Sequence, residues 1–249
     1  MTDPSVTMLK QMETFQPSAL IPVPASERHY VEVHRRWAVQ ALAHSQSLIC
    51  YHTSIFDGQW DICGRFEQAP SLWRLASLQF RPPGEEFPPA LLSMLNHDHP
   101  KFLRDLRSFD VAEEIAFDAT SGQLSSTKYL VTVDRPDDVS RTDALRAGDD
   151  IIATVVGELS DAYGARRMVV NRVQAEHETA PIDEPGQQVT GAVVESNRLL
   201  MVELYFDDAH WGDQFFARDE IASAIRGSVF APAGVAILRG MEQTGHDRR

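Results

Sequence analysis

The stretch "KYLVTVDRPDD", Lys128 to Asp138, decides the reading of the chain, because it opens a second series of elements in the order that the first half has already used. Its apolar alternation predicts a strand closed by Pro136. Ser140 with Asp143 reads as a capping-box-like helix start, and the helix extends to Tyr163 before Gly164 ends it. "ARRMVVNRVQ" is the next strand, and "RLLMVELYFDD" is its partner after the polar excursion "HETAPIDEPGQQVTG". "HWGDQFFARDEIASAIRG" supplies a second helix and "PAGVAILRGMEQ" a last strand, giving β-α-β-β-α-β.

The first half yields the same order. "ALIPVP", Ala19 to Pro24, reads as a strand, and Ser26 as the N-cap of a helix reaching about Ala43. "SLICYHTSIFDGQWDICGRF" reads as two antiparallel strands around Asp57-Gly58, a dipeptide suited to a tight hairpin turn. "APSLWRLASLQF" places Leu72, Leu75, Ala76 and Leu78 at near-helical spacing, and "RPPGEEFPP" stops the helix. "ALLSMLNHDHPKFLRDLRSFD" offers two short helices and "EEIAFD" the fourth strand. Phe66 and Phe206 hold matching places before the second helix of each half. The expected fold class is α+β: two tandem ferredoxin-like repeats, 18–124 and 125–243, flanked by a flexible tail at 1–17 and another at 244–249. A sheet covered by helices on one face leaves its other face bare, and pairing two sheets within one chain buries both as an intramolecular dimeric α+β barrel. A homodimer of such chains stays open.

The 249 residues are 43% hydrophobic and 24% charged, ordinary globular material. A net charge of −13 repels phosphate backbones, so nucleic acid is not an expected partner. No apolar run reaches membrane-spanning length and the amino terminus has no secretory pattern, so the expected location is cytoplasmic, without a membrane partner. Cys50 and Cys63 are read as two buried thiols.

The segment "HYVEVHRRW...SLICYHTSIFDGQWDICGRFE" resembles the EthD-like branch of the dimeric α+β barrel superfamily, with features falling on Tyr30, His34, Tyr51, the Asp57-Gly58 turn and Phe66. Tyr30 stands where that branch commonly has tryptophan, and the second half has no histidine in the matching place, 148–152. The resemblance therefore implies one pocket, in the first half. It also implies proton-transfer chemistry on small aromatic or polyketide-like compounds: lyase, dehydratase, cyclase or isomerase steps, with cofactor-free oxygenation a lesser option.

Tyr30, His34 and Trp37 share one helical face, opposite charged neighbours, so that face turns to the sheet. His34 can act there as acid or base, or it can be a core histidine held by a carbonyl or by Tyr30. His29, one residue off the stripe, is placed at the rim. Counting from the hairpin sets His52 opposite Cys63 and Tyr51 opposite Gly64, on opposite faces of the sheet, and the room above glycine favours Tyr51 as partner of His34. His52 with Cys63 is read as a packed pair rather than a nucleophilic one. "NHDHP" tempts as a metal motif around His97 and His99, yet it lacks further ligands at fixed spacing and is read as a loop cap. No metal and no cofactor are expected. The candidate catalytic residues are thus His34 and Tyr51, and the candidate substrate-binding residues are Tyr30, Trp37, His52, Trp60 and Trp73. The alternative is a non-catalytic carrier, or a haem binder with His34 or His52 as axial ligand.

Overall fold

A computed structural model of the chain describes residues 8–42, 45–60, 66, 70–82, 89–121, 126–179, 191–230 and 233–248. The first half contains β1 (Leu9–Pro17), α1 (Val23–His29), a π-helical turn (Tyr30–His34) and α2 (Arg35–Leu42). It continues with β2 (Leu48–Gln59), β3 (Arg74–Phe80), α3 (Pro89–Asp98) and β4 (Leu103–Asp118). The second contains β5 (Thr127–Asp134), α4 (Arg141–Leu159), β6 (Ala165–Thr179), β7 (Gly191–Val194), β8 (Arg198–Phe206), α5 (Ala209–Phe216), α6 (Asp219–Arg226) and β9 (Val235–Asp247).

The strands form one sheet in the order β4-β1-β3-β2-β9-β5-β8-β6-β7, and a β4–β6 pairing joins its ends into an eight-stranded barrel with β7 as an outer ribbon. All pairings are antiparallel. With β7 set aside, each half contributes four neighbouring strands in the chain order 4-1-3-2. No described helix is long and apolar enough to cross a membrane.

Several elements differ from the sequence reading. The stretch read as an amino-terminal tail carries β1, which pairs with both β3 and β4; the strand expected at Ala19 to Pro24 is a bend leading into α1. β1 sets Lys10, Gln11, Glu13, Thr14 and Gln16 among Met12 and Phe15, so its polar count conceals it. Asp57-Gly58 is not a hairpin turn: β2 runs through it, with a bulge between Phe56 and Gly58 against β9. A glycine within a paired strand marks such bulges as readily as turns, and β9 supplies the ladder that keeps the strand extended. "RLASLQF" is β3 rather than helix; it lies between β1 and β2, buried on both faces, where apolar residues show no period of two. Residues 103–110 belong to β4, and β9 extends through the expected final tail to Asp247. Ser140 does cap α4, accepting from the Asp143 amide.

Barrel closure gives every strand a lumen side and a helix side. Met12, Phe56, Leu75, Phe109, Leu130 and Met201 belong to the apolar cluster of the lumen. Toward the other end the lumen is ionic. Lys128 lies between Glu203 (2.5 Å) and Glu242 (2.7 Å), and Lys10 between Glu203 (2.7 Å) and Glu113 (2.6 Å). Asn171 and Tyr205 donate to Glu203 and Glu242. Burial opposes ionisation of Glu203, but Lys10 and Lys128 outweigh it and hold the carboxyl below its usual range; Glu242 is held down likewise by Lys128. Stability from these carboxylates is present above the ordinary carboxylate range and is lost as pH falls through their lowered folded values. Lys128→Met leaves two buried carboxylates short of a cation and is expected to cost about 3–5 kcal/mol in denaturant unfolding at neutral pH; a loss under about 1 kcal/mol would contradict a load shared through Lys128.

Candidate functional site

On the helix side of the first half, the π-helical turn sets the geometry. The Arg35 amide donates to the Tyr30 carbonyl, one residue further along than in an α-helix. In an α-helix, residues five apart point about 140° apart. The wider turn brings His29 and His34 to one carboxylate: His34 Nδ1 lies 2.9 Å and His29 Nε2 3.0 Å from the two oxygens of Asp98. Burial raises the Asp98 pKa, yet hydrogen bonds from His34 and His29 prevail and hold it well below the usual carboxylate range. An ionised carboxylate only accepts, so both imidazoles donate to it. His34 thus carries its proton on Nδ1 and, when neutral, a lone pair on Nε2. Asp98 and His99 come from "NHDHP", which supplies the partner of His34 rather than a loop cap alone. His99 is a neighbour whose pKa burial and His34 push down to about 3.

Around this unit stand aromatic rings. Tyr30 stacks on His34 (5.9 Å between centroids, 26°), Phe102 packs 4.6 Å from His34, and Trp37 lies at 6.0 Å. Trp73 meets Tyr30 edge-on at 6.0 Å, and the buried Arg74 guanidinium sits 4.0 Å over the Tyr30 ring while pairing with Glu27. Tyr51 belongs to the same layer. The glycine that makes room for its ring is Gly245 of β9, where a Cβ would approach Tyr51 Cδ1 to 2.5 Å. Gly64 and Cys63 lie outside the described residues. Burial raises the pKa of both Tyr30 and Tyr51, keeping them protonated. The buried Tyr30 hydroxyl neighbours those of Thr53 and Tyr51. Glu13 reaches this layer from β1, in line with Thr53 across Ala76.

The structure therefore brings together Tyr30, His34, Trp37, Tyr51 and Trp73. It separates two others. His52 faces the lumen, where its Nδ1 is 3.3 Å from Thr244 Oγ1 and 3.6 Å from Glu242. Trp60 is packed with Tyr129 and Phe206 in the core of the second half, because β2 continues past Asp57-Gly58 toward it. Sequence reading missed Asp98, Glu13 and the convergence of His29; only the "HDH" triplet signalled one of them. A separate cavity of about 30 Å³ lies in the second half between α4 and the sheet, lined by apolar residues including Ile151, Ile152, Val155, Met168 and Leu200. Gly148 lets α4 approach there, since a Cβ would come within 2.9 Å of Leu200.

No family model matches the chain, and no curated protein matches its sequence. Among solved structures, a candidate monooxygenase from Fusobacterium nucleatum subsp. nucleatum ATCC 25586 matches 96% of this chain and 93% of its own at 10% identity, with a TM-score of 0.54. A second candidate monooxygenase, from Lactobacillus acidophilus NCFM, matches 97% of each chain at 10% identity and TM-score 0.47. A mutant chlorite dismutase from Candidatus Nitrospira defluvii matches 95% of this chain and 92% of its own at 6% identity and TM-score 0.47. The first likeness and the closed antiparallel sheet define the class: an α+β barrel of the ferredoxin-like, dimeric type.

Burial pushes the Glu13 carboxyl up to about 7. A folded value above the unfolded one means that its contribution is whole below about pH 4.5 and is lost as pH rises through about 7. Glu13→Gln, which stays neutral, should therefore match the wild type in thermal unfolding near pH 5 and exceed it near about pH 8. Parallel curves across that range would contradict the assignment.

Proposed function

We propose that the chain is a small-molecule-binding enzyme that works by proton transfer without a resident cofactor, with His34 as the acid/base residue. The observation that carries this reading is the 2.9 Å contact of His34 Nδ1 with ionised Asp98, which fixes the tautomer and leaves Nε2 to take or return a proton. Tyr30 and Tyr51, protonated in an apolar layer, supply donors for a carbonyl or phenol, and Trp37 and Trp73 supply flat apolar walls. Such a layer suits an aromatic or polyketide-like substrate and lyase, dehydratase, cyclase or isomerase steps. The EthD-like branch remains our family reading on Tyr30, His34 and Tyr51, without the turn that also suggested it. The matching 4-1-3-2 strand orders support two tandem ferredoxin-like repeats. We place the protein in the cytoplasm, binding neither membrane nor nucleic acid, on the grounds of its charge and composition.

The second reading is a carrier, favoured by the second-half cavity, whose lining carries no ionisable group. Haem does not fit the second-half cavity, whose lining offers no imidazole and only the Met168 thioether; for a haem-binding alternative the axial ligands would be His34 or His52.

The test is a panel of phenolic and aromatic carbonyl compounds, with binding followed by tryptophan fluorescence and turnover by absorbance. His34→Ala should lower turnover by about 10²- to 10⁴-fold while binding persists. His34→Gln, which keeps a donor toward Asp98, controls for folding and should lose turnover equally. Turnover unchanged in both variants sinks the proton-transfer reading. Binding that is abolished by Ile152→Trp, with no turnover in the wild type, establishes the carrier instead.

A further inference from the structure

We infer that Cys50, His52 and Asp247 bind one divalent first-row metal ion, zinc by preference, at the mouth of the barrel lumen. This site lies on the opposite face of β2 from Tyr51 and is independent of the proposed proton-transfer residues.

The register creates the site. Cys50 and His52 are two apart on β2, so both side chains leave the same face, and Asp247 of β9 is the direct cross-strand partner of Cys50. One ligand atom from each residue lies within 4.8 Å of the others. Ligands of a tetrahedral zinc ion, with bonds of about 2.0–2.3 Å, stand about 3.3–3.8 Å apart. Side-chain adjustments of about 1 Å would bring such a set to coordination distance. The ladder beneath is fixed: pairing continues past Asp247, where the Arg248 amide donates to the Ile49 carbonyl at 2.8 Å and the Arg248 guanidinium to the Ser45 carbonyl at 2.9 Å.

Donor chemistry points to the ion. Sulfur, imidazole and carboxylate together suit zinc, whereas calcium and magnesium take oxygen ligands. Thr244 and Glu242 hold the His52 ring at Nδ1, the kind of outer contact that orients a metal-binding imidazole. Asp247 is exposed and offers an entry path, while Cys50 and His52 line the polar cavity that continues to Glu203, Glu242 and Tyr205. Three protein ligands leave a fourth position for water or another small ligand. Charge balances: the dication meets one thiolate and one carboxylate, and binding releases the Cys50 thiol proton to solvent with no change of oxidation state.

The experiment uses the full chain, stripped with a chelator and titrated with zinc by calorimetry and with cobalt by absorption spectroscopy. One equivalent per chain is expected, with a sulfur-to-cobalt charge-transfer band and a higher melting temperature in zinc. Cys50→Ser should abolish the band, and Asp247→Asn, an exposed substitution, should weaken zinc binding at least about tenfold while the circular dichroism stays unchanged. Absence of stoichiometric binding to the wild type overturns the inference. So does a band retained in Cys50→Ser, or equal zinc affinity in Asp247→Asn.

Discussion

Two strand pairings between the halves, β2 with β9 and β4 with β6, hold the architecture together. Without them the chain would present two four-stranded sheets, each with open edges and one bare face. Closure removes the edges and turns the bare faces toward each other as a lumen. It also imposes a rule: residues one apart on a strand enter different compartments. Tyr51 joins the aromatic layer under the first-half helices, while His52 faces the lumen carboxylates. Tyr129 packs under the second-half helices, while Lys128 is enclosed in the barrel.

The three compartments have different chemistry because their charges are paired differently. The lumen tolerates ions because Lys10 and Lys128 each contact two carboxylates, so each of these buried charges lies against one of opposite sign. The second-half interior is almost wholly apolar. The first-half layer is the mixed one, in which ionised Asp98 receives two histidines within an aromatic wall and Arg74 pairs with Glu27 over the Tyr30 ring. A preorganised acceptor in a weakly polar setting is what a histidine needs for directional proton transfer.

Much of the topology was legible in the sequence, though not always through the right residues. The β-α-β-β-α-β order of the first half survives with different elements filling it: β1 comes from the assumed tail, and β2 absorbs the assumed hairpin. The errors share a cause. In the closed barrel β3 is buried on both faces and so lacks alternation, while β1 carries Lys10 into the lumen and Glu13 on its other side, charges that resemble a solvated tail. The second half read more directly, since Ser140 and the apolar run of β5 act locally. Within the site, the face of Tyr30, His34 and Trp37 was visible from helical spacing. The role of His29 was not, because a π-helical turn rotates residues in a way that no α-helical count reproduces. Asp98 is 64 residues from His34 in sequence, and the link between them is tertiary.

The central claim is that ligand chemistry belongs to the first-half layer and not to the apolar second-half cavity. Its most direct measurement is a heteronuclear NMR titration of the labelled chain with a phenolic ketone, following the His34 ring and the methyl groups of Ile151, Ile152 and Val155 together. The account predicts saturable shifts at the His34 ring, with Nδ1 protonated throughout, and still methyl signals on α4. Saturable shifts confined to the α4 methyls, with His34 unmoved, would contradict it.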